Sequence, residues 1–353
     1  MKNLKRYPYK KNDLLQAWDA ADELIVKHAI ENNLLNRKTL VINDQFGAIS
    51  SELERPIAYT DSYVSYKGTL INTNERVSPL SDLQEVPGSV EQVFVQLPKN
   101  LSFFEDILCV LSTKLVPGTP FIFTGMVKHM SPGHFDLINK YIGATRTSLA
   151  EKKARLIFAG LEKSSTQSPY PLHVKMDGFE LPITNHSNLF SREKLDIGTR
   201  FMLENIPLGH GRILDLGCGN GLLGIRAKQL NKNAHLSFSD ESQMAIKSAR
   251  ENYRKFFNDD MAEFFWTNCF EEGREAVFDL VLCNPPFHQS NTVGDFIALQ
   301  MFEDAYRVLR SGGLLRIIGN SHLGYQIKMK KIFGNSKIIK TNQKFMIVDS
   351  VKP

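Results

Sequence analysis

The chain of 353 residues runs twice through one order of strands, turns and helices, and this repeat limits its fold more than any other feature. In the second half, RILDLGCGNG is a short apolar strand entering a glycine-rich turn. SFSDESQMAIKSARENY follows as a strand ending in Asp240 and then a helix. FDLVLCNPPF is a further strand, and FEDAYRVLRSGGLLRIIG is a helix, a Gly-Gly turn and a strand. In the first half, LVINDQFGAIS, AYTDSYVSYKG, VEQVFVQLPKN and ILCVLSTKLVPGTPFIFTG come in the same order. Matching positions drift one way: Gly219 stands 172 residues after Gly47, Asp240 179 after Asp61, Pro285 187 after Pro98 and Gly312 194 after Gly118. A duplicated unit with shortened connections gives that drift.

Strands alternating with helices predict an α/β chain of two tandem units, each a mostly parallel sheet covered on both faces. Such sheets take ligands at the carboxyl ends of their strands, so each half has one potential site. The polar, proline-bearing EKSSTQSPYP reads as a linker, which gives a first domain at 1–160, a linker at 161–168 and a second domain at 169–353. LHVKMDGFELPI alternates apolar and polar residues around Asp177-Gly178, a hairpin signal. The net charge of +5 tolerates a polyanionic partner without requiring one, and 42% hydrophobic with 23% charged residues excludes a disordered or fibrous chain. The longest apolar candidate, 101–127, is broken by Glu105, Asp106 and Lys114, so no membrane span is expected. The basic start MKNLKRYPYKKNDL has no apolar stretch behind it, unlike a secretory signal. Cysteines at 109, 218, 269 and 283 form no CxxC pair and have no histidines at zinc spacing, so neither a metal site nor a disulfide framework is expected. Reduced thiols fit a cytoplasmic protein.

The chemistry concentrates in the second half. Asp215-Leu216-Gly217-Cys218-Gly219-Asn220-Gly221 follows the strand 212–214 and opens a helix near Leu222. Glycines let a backbone turn sharply and approach a ligand. An acid at the start of the turn argues against a pyrophosphate, and there is no P-loop lysine, so the turn suits a cationic ligand without phosphates. Asp240, 25 residues beyond Asp215, either accepts from two ribose hydroxyls or caps a helix. Asn268 ends the strand AEFFWTN and either meets an adenine edge or makes a turn. Asn284-Pro285-Pro286-Phe287 closes the strand 280–283. The prolines remove two N–H donors, which leaves carbonyls and the Asn284 amide oxygen as acceptors. Phe287 offers a stacking face, worth about 1–3 kcal/mol for a base. Two acceptors and a ring suit an aromatic amine: holding its hydrogens draws the nitrogen toward sp3 and aims its lone pair. Asp279, at the other end of that strand, reads as structural.

This constellation resembles the class I S-adenosylmethionine-dependent methyltransferases. DLGCGNG is similar to their first motif, Asp240 to their ribose acid, Asn268 to their adenine contact and NPPF to their amino-methylating motif. LQAWDAADELIV, INDQFGAIS, DSYVS, EKKARLI, FSREKLDIGTRF, NPPFHQ and KKIFGN further resemble the large-subunit ribosomal RNA guanine-N2 methyltransferase family along nearly the whole chain. The small-subunit guanine-N2 enzymes share the duplicated plan. The resemblance implies two tandem class I methyltransferase (Rossmann-like) domains, the first degenerate. It also implies S-adenosylmethionine as cofactor, and N2-methylation of one guanosine in 23S ribosomal RNA, in protein-free RNA. Carried onto this chain, the cofactor residues are Asp215, Gly217, Gly219, Asp240 and Asn268. The catalytic residues are Asn284, Pro285 and Phe287, with Pro286 and Phe287 meeting the substrate. FSREKLDIGTR resembles the family's cofactor-flanking segment, with Phe190, Asp196 and Thr199 as weaker candidates.

Matching Gly47 to Gly219 puts Asn43 in place of Asp215 and Gln45 in place of Gly217; matching Pro98 to Pro285 puts Leu97 at Asn284, Lys99 at Pro286 and Asn100 at Phe287. The first domain is therefore expected to lack cofactor and catalysis and to support RNA binding. Lys2, Lys5, Arg6, Lys10 and Lys11, interleaved with Tyr7 and Tyr9, form one basic region, and Lys328, Lys330, Lys331, Lys337, Lys340 and Lys344 another. Each is an RNA contact or a solvated face. An amine inside a paired helix cannot enter a strand-end pocket, so the base must be unpaired or flipped. Neither DNA nor a membrane is expected as a partner, and duplication within the chain suits a monomer. The alternatives are a 16S guanine-N2 enzyme, adenine-N6 or glutamine-N5 methylation, cytosine carbon-5 methylation through Cys283, and a non-catalytic RNA-binding or assembly factor.

Overall fold

A computed structural model describes residues 3–9, 15–162, 167–271, 275–286 and 292–353. Two compact units, 1–170 and 171–353, divide the chain. The first contains α1 (Ala20–Glu31), β1 (Lys38–Ile42), α2 (Ala48–Glu52), β2 (Arg55–Tyr59), α3 (Tyr63–Asn72), β3 (Gln92–Gln96), α4 (Leu101–Lys114), β4 (Pro120–Met126), α5 (Pro132–Tyr141), β5 (Arg146–Thr147) and β6 (Ala154–Gly160). The second contains β7 (Leu172–Val174), β8 (Ile183–Asn185), α6 (Ile197–Leu203), β9 (Arg212–Leu216), α7 (Leu222–Leu230), β10 (His235–Asp240), α8 (Gln243–Phe256), β11 (Ala262–Trp266), β12 (Phe278–Cys283), α9 (Thr292–Val308), β13 (Leu309–Asn320), α10 (Tyr325–Phe333), β14 (Lys337–Thr341) and β15 (Phe345–Val351). Among the described residues no helix is long and apolar enough to cross a membrane.

The second unit's sheet has the order β11-β10-β9-β12-β13-β15-β14, parallel except that β15 runs antiparallel to both of its neighbours. Its central strands are apolar on both faces because both are covered. Leu280 and Leu282 pack on the side of α7 and α8 with Ile213, while Val281 and Cys283 pack on the side of α9 and α10 with Leu214 and Leu216. β7 and β8 pair antiparallel as the expected hairpin, and Asn252 of α8 clasps it through Thr184 N and O (2.7 and 2.9 Å). The Gly-Gly turn expected before β13 is an irregularity at the start of that strand: pairing to β12 jumps from Phe278–Leu309 to Leu280–Leu314.

The first unit repeats the plan as β2-β1-β3-β4-β6-β5, with one strand fewer. The counterpart of β11 is reduced to a single bridge, Leu80 to Tyr59. Its register corrects the matching of the two halves. Gly47 and Gly221 are both left-handed N-caps (φ 76° and 83°) of the helix after the first strand, so Gly47 answers to Gly221 and not to Gly219. Asn43 (φ 62°) then replaces Gly217 (φ 72°), Gln45 replaces Gly219, and Val41 stands where Asp215 does. Ser62 and Ser242 cap α3 and α8, which sets Thr60, rather than Asp61, at the place of Asp240. Ser62 N donates to Thr60 Oγ1 (3.1 Å) as Ser242 N donates to Asp240 Oδ1 (2.9 Å). The ladders pair Ile42 with Val95 and Leu216 with Cys283, so Gln96, rather than Leu97, answers to Asn284, and Pro98 answers to Pro286. Matching like letters misplaced these positions by one or two residues because hydrogen-bonded register, not glycine or proline identity, defines equivalence.

Candidate active site

The residues singled out in the second half meet at one edge of its sheet. Asn268, Asp240, the 217–221 turn and Asn284 stand at or just beyond the carboxyl ends of the neighbouring strands β11, β10, β9 and β12. The turn hangs on β10: Gly217 N and Cys218 N donate to Ser239 O (2.8 and 2.9 Å), and Gly219 N donates to Asp240 Oδ2 (2.9 Å). Nothing lies within 4 Å of where a Cβ on Gly219 would be, so its backbone fronts open space. Gly224 instead serves packing, because a Cβ there would meet Phe238 Cε1 at 2.2 Å.

Asp215 lies inside β9, fully buried, with Oδ2 accepting from Gly224 N (2.8 Å). Burial, with a contribution from the Asp240 charge, pushes its carboxyl up to about 8. At neutral pH it is therefore largely uncharged, and it is Asp240 that binds the turn amide a phosphate would need. Asp240 also is not the cap of α8; Ser242 is, accepting from Ala245 N (3.2 Å). Asn268 is buried, with Nδ2 donating to Glu271 Oε2 (3.2 Å).

At the end of β12 Pro285 is buried and Asn284 half-buried. Asn284 Nδ2 donates to Thr199 Oγ1 (3.0 Å), while its Oδ1 is buried with no donor among the described residues. Phe287 lies outside the described residues. Cys283 is buried, and that burial drives its thiol up, away from thiolate. Asp279 is structural: Oδ2 accepts from Gly211 N and Arg212 N (2.8 and 2.9 Å), and Oδ1 pairs with Arg310 Nε (2.7 Å). Phe190 is exposed, and Asp196 caps α6.

Asn284 Oδ1 is not alone in lacking a partner among the described residues. Buried, unpaired polar atoms stand at or beside the carboxyl ends of successive strands: Asp215 Oδ1 (β9), Ser239 Oγ (β10), Thr267 Oγ1 (β11), Asn284 Oδ1 (β12) and Asn320 Oδ1 (β13). Such groups cost free energy unless a ligand or solvent meets them. This oxygen-rich end of the sheet, with an open glycine turn for close approach, fits an adenosine-bearing sulfonium. Sequence reasoning missed Ser239, Thr267 and Asn320; the available signal was a polar residue ending each apolar strand.

The basic regions are tied down in part. Lys5 N and O are clasped by Asn72 (both 2.8 Å), and Arg6 lies over Phe46 at 5.4 Å. Lys340 lies over Phe201 and Lys344 over Phe345, 5.6 and 5.3 Å from the ring centres. Lys2, Lys10 and Lys11 lie outside the described residues, as do 163–166 of the expected linker.

Residues 180–349 match the Methyltransferase small domain model, and residues 2–163 match the RLMG N-terminal domain model. A ribosomal RNA large subunit methyltransferase G from Shewanella loihica is 42% identical, over 99% of this chain and 92% of that one. The protein of that name from Psychromonas ingrahamii is 40% identical, over 99% and 96%. Among solved structures, the Thermus thermophilus 16S rRNA N2 G1207 methyltransferase, in complex with AdoMet and guanosine, matches with a TM-score of 0.77 at 18% identity, over 95% of this chain and 92% of that one. That likeness concerns the duplicated fold. Identity of this extent along the entire chain, carried by both units, means that the chain belongs to the ribosomal RNA large subunit methyltransferase G family.

Proposed function

We propose that the second unit transfers the methyl group of S-adenosylmethionine directly to the exocyclic N2 of one guanosine in 23S ribosomal RNA, with the base unpaired or flipped. The observation that carries this reading is the buried Asn284 Oδ1, with no donor among the described residues, on the strand next to the one whose glycine turn fronts open space. When bound, S-adenosylmethionine supplies an electrophilic methyl on a sulfonium centre. Asp240, at the carboxyl end of β10 against the glycine turn, takes the ribose hydroxyls, and Asn268 takes the adenine edge. The Asn284 oxygen and the carbonyl of Pro285 accept the two hydrogens of the guanine amine. This turns the nitrogen lone pair out of the ring plane toward the methyl group; as the N–C bond forms the S–C bond breaks to leave a neutral thioether, and N2 gives up one of its two protons to solvent, with no covalent enzyme intermediate. Pro286 and Phe287 hold the base, the phenyl ring by stacking.

The choice of 23S over 16S rests on relatives at 40–42% identity that carry the large-subunit name, against 18% for the small-subunit enzyme. Buried Cys283 speaks against a cytosine carbon-5 mechanism, which needs a thiolate. The substrate is protein-free RNA, the first unit supports its binding, and the protein works as a cytoplasmic monomer. The test is mass mapping of methylated guanosines after incubating the chain and S-adenosylmethionine with undermethylated 23S RNA. One N2-methylguanosine is expected, and Asn284→Ala lowers its rate by about 100-fold or more. Full activity of Asn284→Ala overturns the reading.

A further inference from the structure

Asn284 is held in one of the two orientations its amide can take. Its Nδ2 donates to Thr199 Oγ1 (3.0 Å). Thr199, in the first turn of α6, gives its backbone N–H to Asp196 Oδ2 (2.8 Å) and its hydroxyl to the same oxygen (3.3 Å). A carboxylate only accepts, so the threonine proton is committed to Asp196 and the threonine oxygen faces Asn284 as an acceptor. Flipping the amide would set Oδ1 against that oxygen, two acceptors at hydrogen-bond distance. The geometry therefore leaves Oδ1, not Nδ2, as the atom without a partner among the described residues.

The first unit contains the same device. Asp19 caps α1 as Asp196 caps α6. Asp22, three residues on, faces Gln96 at the end of β3, and Gln96 Nε2 donates to Asp22 Oδ1 (3.1 Å). Gln96 is the register equivalent of Asn284, so a capped helix grips the amide at this strand end in both copies. The grip persists in the unit where Thr60 replaces the ribose acid and Gln45 an open glycine. Gly198 fits the tight turn: a Cβ there would meet Asp196 Oδ2 at 3.0 Å and Phe345 Cε1 at 3.2 Å.

We propose that Asp196 and Thr199 are positioning residues for methyl transfer: through the hydroxyl of Thr199 they lock the amide of Asn284 with its oxygen toward the acceptor amine. This rests on the reading of Asn284 as the amine's acceptor. The experiment uses the full chain with undermethylated 23S RNA and measures kcat, KM for RNA and Kd for S-adenosylmethionine. Thr199→Val removes the hydroxyl at constant shape. It is expected to lower kcat about tenfold or more, with KM and Kd within about twofold. Thr199→Ser is expected to restore kcat to within about threefold. In an Asn284→Ala background Thr199→Val is expected to cost nothing further, because the group it orients is gone. The proposal is overturned if Thr199→Val turns over normally while Asn284→Ala does not, if serine fails to rescue, or if the two losses multiply. Normal turnover of Asn284→Ala would instead remove the underlying reading.

Discussion

At the residue scale, chemistry follows environment more than residue type. DLGCGNG is legible as a ligand turn in the bare sequence, but the state of its aspartate is not, because the acidity of Asp215 is set by the sheet that buries it. The fold holds its proton up to about 8, while the unfolded chain releases it near 3.8. Between these values the native state binds a proton the unfolded state does not, so stability falls as pH rises from about 4 to about 8 and is level above. Asp215→Asn keeps an acceptor for Gly224 N and removes the titration. The melting temperature of the variant relative to wild type should therefore rise steadily from pH 5 to pH 8. Parallel pH profiles for the two proteins would show that Asp215 does not hold its proton.

Helices and strands were readable from apolar runs of the right length and period, as in the LVI, VFV and LVLC segments that became central strands. Their equivalence between halves was not, because glycines and prolines mark local backbone needs while pairing register is a contact between distant segments. Gly221 illustrates both sides. Its φ of 83° demands glycine at the entry to α7, and so does the approach of α8, since a Cβ on Gly221 would stand 3.0 Å from that of Ala249. Gly221→Ala should destabilise the protein by about 1–3 kcal/mol, through backbone strain and overpacking. Chemical denaturation will register this as a lower midpoint at unchanged slope. Gly209→Ala is the control: it shares a positive φ (83°) but meets no atom within 4 Å, so it should cost only the backbone term.

On the scale of the whole molecule, two sheets share one strand order, apart from a further edge strand in the second, and the residues singled out for chemistry stand in the second. The first unit has Thr60 where the second has Asp240, Gln45 where the second has the open Gly219, and a single bridge at Leu80 for a strand. Calorimetry on the full chain should give one S-adenosylmethionine per molecule, and Asp240→Ala should weaken that binding by at least about tenfold with no second class of site emerging. Two sites per chain would contradict the degeneracy of the first unit. The sequence alone determined the repeat, the α/β class, the glycine turn and the NPPF strand end, because each is written in contiguous residues whose backbone preferences act locally. Only the tertiary structure decided that Asp215 is buried with its pKa raised, that Asp240 holds the turn, that Gln96 answers to Asn284, and that Thr199 meets the amide. These depend on which distant strands and helices touch, and a linear pattern of residue types does not carry such contacts.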